Sequence, residues 1–200
     1  MRTVRYYLAL LLLSSVPPAF LFWFSIHPFI RFWRALGPRF TLAIHYVAAF
    51  ALAGMIAGFG RPLLSVEFGT NSILIGLALP LLAISAVLRK RLSKQLRFGV
   101  LTGLPELAPE RHKIPLLTEG IYARIRHPRY VQALLVTAAY ALFCNFLATY
   151  ILLLSLVLVL YLIVLIEERE LRDRFGAEYD AYCARVPRFI PRFRPQRQQS

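Results

Sequence analysis

Two clusters of polar side chains flank a long apolar stretch of this 200-residue sequence. The first, at residues 120–130, contains Arg126, His127 and Pro128 in succession. Because proline is favoured at the first position of a helix, Pro128 predicts a helix start with His127 as its N-cap. Unpaired N–H groups at a helix start attract anions, and the planar guanidinium of Arg126 can bind a carboxylate at two points. This cluster therefore predicts a binding site for an anionic group.

The second cluster follows the apolar stretch and begins with two adjacent carboxylates, Glu167 and Glu168. At helical spacing both lie on or beside an apolar stripe. Carboxylates on a buried face near a membrane boundary need a cationic partner, which is either Arg126 or a cationic ligand. Arg172, four residues after Glu168, is also at ion-pair spacing. The stripe consists of Leu171, Phe175, Tyr179 and Tyr182.

The composition indicates that a membrane surrounds these clusters. Apolar residues make up 58% of the chain and charged residues 17%, against roughly 45–50% and about 25% in ordinary soluble domains. The net charge of +14 would suggest nucleic acid in a soluble chain. Here the basic residues flank apolar runs, which is typical of loops that face anionic lipid, so membrane lipid is the predicted partner and nucleic acid is not. The two cysteines, Cys144 and Cys183, exclude a disulfide framework and a CxxC metal site, and we predict no metal.

Four uncharged stretches predict where the chain crosses the membrane. Three of them have about the 20 residues that span a hydrocarbon core. The fourth, 130–166, would be about 55 Å long as one helix, nearly twice the core, so it predicts a hairpin. Its turn is placed at Cys144-Asn145, the only polar break near its middle. The predicted fold is all-α, with about five transmembrane helices and a C-terminal amphipathic cytosolic helix. The three shorter stretches are 6–30, 40–60 and 68–88.

The basic residues also predict the orientation of the chain. With five crossings, loop 31–39, segment 89–129 and tail 167–200 share one face and hold 21 of the 24 Lys and Arg residues. The positive-inside rule then places the N-terminus outside and the C-terminus in the cytoplasm. Four crossings would divide the charges almost evenly. Both polar clusters therefore lie on the cytoplasmic face, and Glu67 is predicted to be a solvated residue of an outer loop.

The motifs of the two clusters are specific when taken as a pair. They run from Leu117-Thr118-Glu119-Gly120-Ile121-Tyr122 and Arg126-His127-Pro128-x-Tyr130 to Glu167-Glu168-x-x-Leu171-x-x-x-Phe175-Gly176-x-Glu178-Tyr179-x-x-Tyr182-x-x-x-Val186-Pro187. Over about residues 117–191 the sequence resembles the isoprenylcysteine carboxyl methyltransferase family, which belongs to a wider group with the phospholipid N-methyltransferases.

The resemblance implies an integral-membrane enzyme that transfers a methyl group from S-adenosylmethionine to a lipophilic or lipidated substrate on the cytosolic side. The family name suggests a prenylcysteine-like carboxylate as acceptor, while isoprenoid acids, phospholipid amines and small thiols stay open. By position, the resemblance places Arg126, Glu167 and Glu168 at the reacting groups. It places Tyr122, His127, Pro128, Tyr130, Tyr179 and Tyr182 around the cofactor, although the two last tyrosines are as compatible with packing.

The resemblance also suggests a division of the chain into three regions. Residues 1–116 form an N-terminal three-helix membrane region with a cytosolic linker, 117–191 form the cofactor-binding region with its helical hairpin, and 192–200 form a polar tail. Two positions depart from the family pattern. Gln132 stands where a glycine is common, and His112 fits the family's histidine only with a one-residue shift.

Two other functions stay open at this level. Membrane sterol reductases, which use NADPH, share an Arg-His-Pro-x-Tyr element, but they usually read Ser-Arg-His-Pro-Asn-Tyr. This chain has Ile125 and Arg129 at the Ser and Asn positions, and it carries the paired glutamates that those enzymes lack. The third alternative is a non-catalytic membrane protein that retains the pocket.

Overall fold

A computed structural model describes residues 1–26, 29–93 and 115–192 of the chain. His112 and most of the polar tail lie outside these residues. Within them the chain is helical, and the only β-pairing is an isolated bridge between Glu67 and Phe146. The helices are α1 (Arg2–Ile26), α2 (Ile30–Leu36), α3 (Pro38–Gly58), α4 (Gly60–Leu63), α5 (Ser72–Ser93), α6 (Pro128–Cys144), α7 (Leu147–Phe175) and α8 (Ala177–Arg185).

Four of these helices, α1, α3, α5 and α7, are long and apolar enough to cross a membrane. Many of their large apolar side chains are exposed, including Phe50 at 75% and Leu154 at 71%, as expected for residues that face lipid. The fifth predicted crossing is α6, whose 17 residues are at the lower end of the spanning range. The chain is thus an all-α polytopic membrane protein, and the predicted fold class is confirmed.

The apolar run 130–166 folds as the predicted hairpin. Helix α6 ends at Cys144, and Asn145 takes a left-handed conformation with φ 57°. Asparagine tolerates this conformation better than most residues, which explains why the polar break is the turn. Helix α7 then runs for 29 residues, so it continues beyond the apolar run and carries both Glu167 and Glu168.

Local sequence also explains the other helix boundaries near the site. Pro128 occupies the first turn of α6 and His127 is the N-cap, as predicted. Gly176, with φ 52°, separates α7 from α8, and its positive φ favours glycine at this position. Asn71 starts α5, because its side-chain oxygen accepts hydrogen bonds from the N–H groups of Ile73 and Leu74.

Helix α5 packs along α6, and α1 packs along α3. Helices α6 and α7 pack against each other, and α1 contacts both of them. A polar pair connects α5 to α6: the Gln132 amide donates a hydrogen bond to the Ser85 hydroxyl at 3.0 Å. Such pairs stabilise helix contacts in membranes. Gln132 therefore contributes to the α5–α6 contact.

A buried arginine connects α1 to the hairpin turn at the opposite end of the molecule from Glu168. Arg5 is 1% exposed and donates to the carbonyl of Cys144 at 2.9 Å and to the hydroxyl of Thr70 at 3.0 Å. It also pairs with Glu67 at 3.0 Å, and the exposed Arg2 pairs with the same carboxylate at 2.9 Å. We call Arg5, Glu67, Thr70 and Cys144 the Arg5 cluster.

The prediction that Glu67 is a solvated loop residue is wrong, because its side chain is only 17% exposed. The physical reason is that its loop binds the α6–α7 turn through backbone hydrogen bonds. The N–H of Phe68 donates to Asn145 at 3.0 Å, and the N–H of Leu147 donates to Val66 at 3.1 Å. Glu67 is thereby held next to Arg5.

We expect Arg5→Met to destabilise the fold without changing the Glu168 end of the molecule. Removing one partner of a buried ion pair costs about 3 kcal/mol, which lowers the thermal midpoint by about 6–12 °C for a chain of this size. Thermal unfolding in detergent measures the change. The matched control is Arg61→Met, since Arg61 is exposed and assigned to the same face. Equal midpoints for the two variants would contradict a stabilising role of the Arg5 cluster.

Candidate active site

Glu168 is the centre of the candidate site, and its side chain is only 4% exposed. One carboxylate oxygen accepts hydrogen bonds from Arg126 Nη2 at 2.8 Å and from His127 Nε2 at 3.1 Å. The other accepts from Arg188 Nη2 at 2.7 Å and Nε at 3.1 Å. We call these four residues the Glu168 cluster. The two polar clusters of the sequence therefore meet, because the α6–α7 hairpin brings the end of α7 back to the start of α6.

Arg126 is the more buried of the two arginines, with its side chain 10% exposed. Besides Glu168, it donates from Nη1 to the carbonyls of Cys183 and Val186, both at 3.0 Å. Its Nε is buried without a hydrogen-bond partner among the described residues. Arg126 thus holds Glu168 and the chain after α8 at the same time, and it is one of the two cationic partners that the sequence left open.

Glu167 differs from its neighbour in exposure and in partners. Its side chain is 35% exposed and accepts a hydrogen bond from the Tyr130 hydroxyl at 2.6 Å. His127 Nδ1 lies 3.7 Å from the same oxygen. Glu167 forms no ion pair with lysine or arginine in the part of the chain that the structure describes. It is therefore the carboxylate of the pair that is open to a cationic group.

His127 lies between the two carboxylates and is 4% exposed. Its ring stacks on that of Tyr130 with a distance of 5.7 Å between the ring centroids. The ring centroid of Phe189 lies 6.0 Å from that of His127. Because Glu168 can only accept, the Nε2 of His127 carries the proton of their hydrogen bond. His127 therefore positions Glu168 and leaves Nδ1 directed toward Glu167.

The three remaining predicted tyrosines border this centre to different degrees. Tyr179 and Tyr182 are 1% and 3% exposed and pack with Val186. Tyr182 donates its hydroxyl to the carbonyl of Tyr122 at 2.7 Å. Burial raises the pKa of Tyr122 to about 12, with a lowering contribution from Arg129, so its hydroxyl stays protonated at neutral pH. Tyr122 is half-buried, whereas Tyr179 and Tyr182 are buried and pack with Val186. Pro128 is buried at the base of α6.

Arg172 does not pair with Glu168, although the two residues are at ion-pair spacing in the sequence. It pairs with Asp180 at 2.8 Å instead. The bend at Gly176 turns α8 back toward α7, which brings Asp180 within reach. Glu168 faces the protein interior, where Arg126 and Arg188 are its partners.

Sequence reasoning missed Arg188, although it makes the closest contact with Glu168. It belongs to an irregular segment after α8 that pairs with the start of α6: Arg126 N–H donates to Pro187 at 2.9 Å and His127 N–H to Arg188 at 3.1 Å. An irregular segment has no periodicity from which its orientation could be read. Its hydrogen bond to Glu168 raises the pKa of Arg188.

These contacts define what the site can do chemically. The Glu168 cluster is a fixed, charged scaffold in a largely buried position, and Glu167 offers an accessible carboxylate beside His127 and Tyr130. An open carboxylate next to hydroxyl and imidazole groups can hold a cation or accept a proton.

Comparison with known proteins gives one family. Residues 65–178 match the family model described as phospholipid methyltransferase, which is more than half of the chain. The match covers α5, α6, α7 and both glutamates, while α1, α3 and Arg188 lie outside it. No curated protein and no solved structure matches the chain.

Proposed function

Because the chain belongs to the phospholipid methyltransferase family, we propose that it transfers a methyl group from S-adenosylmethionine to a lipophilic acceptor at the membrane surface. The observation that carries this proposal is the unequal pair of carboxylates. Glu168 is neutralised by two arginines, whereas Glu167 is 35% exposed and contacts Tyr130 and His127. An open carboxylate of this kind can balance the charge of a sulfonium cation or an ammonium group.

The residues present fit the cofactor by their chemistry. S-adenosylmethionine supplies an electrophilic methyl group on a cationic sulfur when bound. Glu167 would face a positive group of the cofactor or of the acceptor, and Tyr122 and Tyr130 would line the same space. The N-terminus of α6, which is capped at His127, would suit an anionic group through the positive end of the helix dipole.

Arg126 and Glu168 have a positioning role in this proposal. Arg126 already donates to Glu168 and to two carbonyl groups, so its guanidinium fixes the site's geometry. Methyl transfer is an in-line displacement that depends mainly on alignment, which such a scaffold provides.

The two candidate acceptor classes differ in whether the methylated group must lose a proton. If the acceptor is an ammonium or amine head group, Glu167 accepts the proton that nitrogen loses on methylation. If it is a prenylcysteine-like carboxylate, as in the isoprenylcysteine carboxyl methyltransferases, no proton needs to be accepted. The family match and the open Glu167 favour the amine.

The test is transfer of labelled methyl groups from S-adenosylmethionine to total membrane lipid, followed by mass spectrometry of the product. Thermal stabilisation by S-adenosylhomocysteine against NADPH separates a methyltransferase from a reductase, since a ligand at 100 times its dissociation constant adds about 2.7 kcal/mol. Stabilisation by NADPH alone would reject the proposal.

We further propose that the N-terminus lies outside and the C-terminus in the cytoplasm. The support is the distribution of charge, with 21 of 24 basic residues on the proposed inner face. Reporter fusions at residue 200 and in the loop at 61–67 are expected to report opposite faces. The same face for both fusions would reject this orientation.

A further inference from the structure

Arg188 uses only one edge of its guanidinium within the protein. Nε and Nη2 both donate to Glu168, at distances of 2.7–3.1 Å. Nη1 has no hydrogen-bond partner among the residues that the structure describes, and the Arg188 side chain is 39% exposed. Arginine carries its five N–H donors in a rigid plane, so donors on the second edge point away from Glu168.

Charge in the Glu168 cluster favours a negative group at this second edge. One buried carboxylate, Glu168, lies between two guanidinium groups, those of Arg126 and Arg188. Glu167 contacts His127 and Tyr130 and forms no ion pair with Arg188. The cluster therefore has one more guanidinium group than carboxylates. Of the two guanidinium groups, that of Arg188 is the more exposed to solvent.

The neighbours of Arg188 indicate where such an anion would come from. Ile190, two residues later, is 74% exposed, and Phe189 packs partly against the α6–α7 core and lies near His127. An exposed apolar side chain beside an exposed guanidinium matches the two parts of a lipid, an acyl chain and an anionic head group. Bidentate or two-sided donors of this kind are the preferred partners of phosphate.

We propose that Arg188 is a bridging residue that holds Glu168 with one edge and binds the anionic group of a ligand with the other. The ligand chemistry is a phosphate or carboxylate, supplied by a membrane lipid or by the cofactor. This inference rests on the proposed function for the identity of the ligand, and Arg188 would then position the ligand next to Glu167. It adds a binding residue outside the part of the chain that matches the family.

The test compares Arg188→Gln with Arg185→Gln in the full-length protein in uncharged detergent. Arg185 is the matched control, because it is exposed and its described side-chain contact is to its own helix at Ala181. Dissociation constants are measured for two probes, short-chain phosphatidic acid and S-adenosylhomocysteine. Diacylglycerol of the same chain length is the phosphate-free control lipid.

We expect Arg188→Gln to raise the dissociation constant of one of the two probes by about tenfold to hundredfold, which corresponds to the loss of a hydrogen bond to a charged group. Arg185→Gln should change the dissociation constant of neither probe. Weaker phosphatidic acid binding, with diacylglycerol unaffected, identifies a lipid phosphate. Weaker S-adenosylhomocysteine binding identifies the cofactor carboxylate. Arg188→Lys should fold, since it keeps a charge beside Glu168, and should still bind several-fold more weakly because it lacks the planar fork.

Unchanged binding of both probes in Arg188→Gln and Arg188→Lys would overturn the inference. A wild-type protein that binds neither of the two probes would overturn it as well. The proposed function fails separately: phosphatidic acid binding that depends on Arg188, without any binding of S-adenosylhomocysteine, would reject the methyltransferase and keep the bridging role.

Discussion

Glu168→Gln should abolish methyl transfer and also destabilise the fold. Glutamine fills the same space but is neutral, so it leaves Arg126 and Arg188 without their shared carboxylate in a site where Glu168 is 4% exposed. Removing one member of a buried ion pair costs about 3–5 kcal/mol. The amide NH₂ would also face guanidinium N–H groups that need an acceptor. Thermal unfolding in detergent and single-turnover methyl transfer measure the two effects.

The control for this variant is Glu170→Gln on the same helix, where the side chain is exposed. Exposed charges contribute about 0–1 kcal/mol, so this variant should resemble the wild type in both measurements. A Glu168→Gln protein with wild-type stability would show that the two arginines do not depend on the carboxylate.

Glu167→Gln should have the opposite profile, with the fold retained and turnover reduced by about 10²–10⁴-fold, the range for a lost general base. The glutamine oxygen can still accept the Tyr130 hydroxyl, and the position is 35% exposed, so little stability is at risk. Single-turnover transfer to a phosphatidylethanolamine acceptor is the measurement, with the same assay on a prenylcysteine acceptor beside it.

The two acceptors make this experiment decisive for the role of Glu167. A base is required for the amine and not for the carboxylate, so the loss should be confined to the amine. Equal turnover in wild type and variant with both acceptors would show that Glu167 neither accepts a proton nor balances a cation. A loss of S-adenosylhomocysteine affinity in the variant would instead assign Glu167 to the cofactor.

The parts of the fold that follow from length and charge could be predicted from the sequence. An uncharged run of 37 residues is too long for one crossing, and the polar pair at Cys144-Asn145 gave the place of the turn. Once that hairpin is accepted, the residues around Arg126 and Glu168 must lie at the same membrane face, and their contact follows from the need to neutralise a buried carboxylate.

The parts that depend on irregular backbone could not be predicted. Arg188 reaches Glu168 because the chain after α8 pairs with the start of α6, and no periodicity encodes that pairing. Arg172 pairs with Asp180 because Gly176 redirects α8 toward α7, and helical spacing alone does not indicate that bend. Glu67 appeared to be a free loop residue because its partner, Arg5, lies more than sixty positions earlier in the chain.

The position of Arg5 also sets the order in which the protein can be completed during synthesis. Arg5 is near the start of the chain, whereas its carbonyl acceptor at Cys144 is 139 residues later. A charged side chain without partners is costly inside a membrane. Helix α1 therefore cannot complete the contacts of Arg5 until the α6–α7 turn has formed. In a fragment that ends before α6, Arg5 could still contact Glu67 and Thr70 but would lack its carbonyl acceptor. We expect such fragments to be less stable than the full-length protein, so the α6–α7 turn is the element that completes the Arg5 end of the fold.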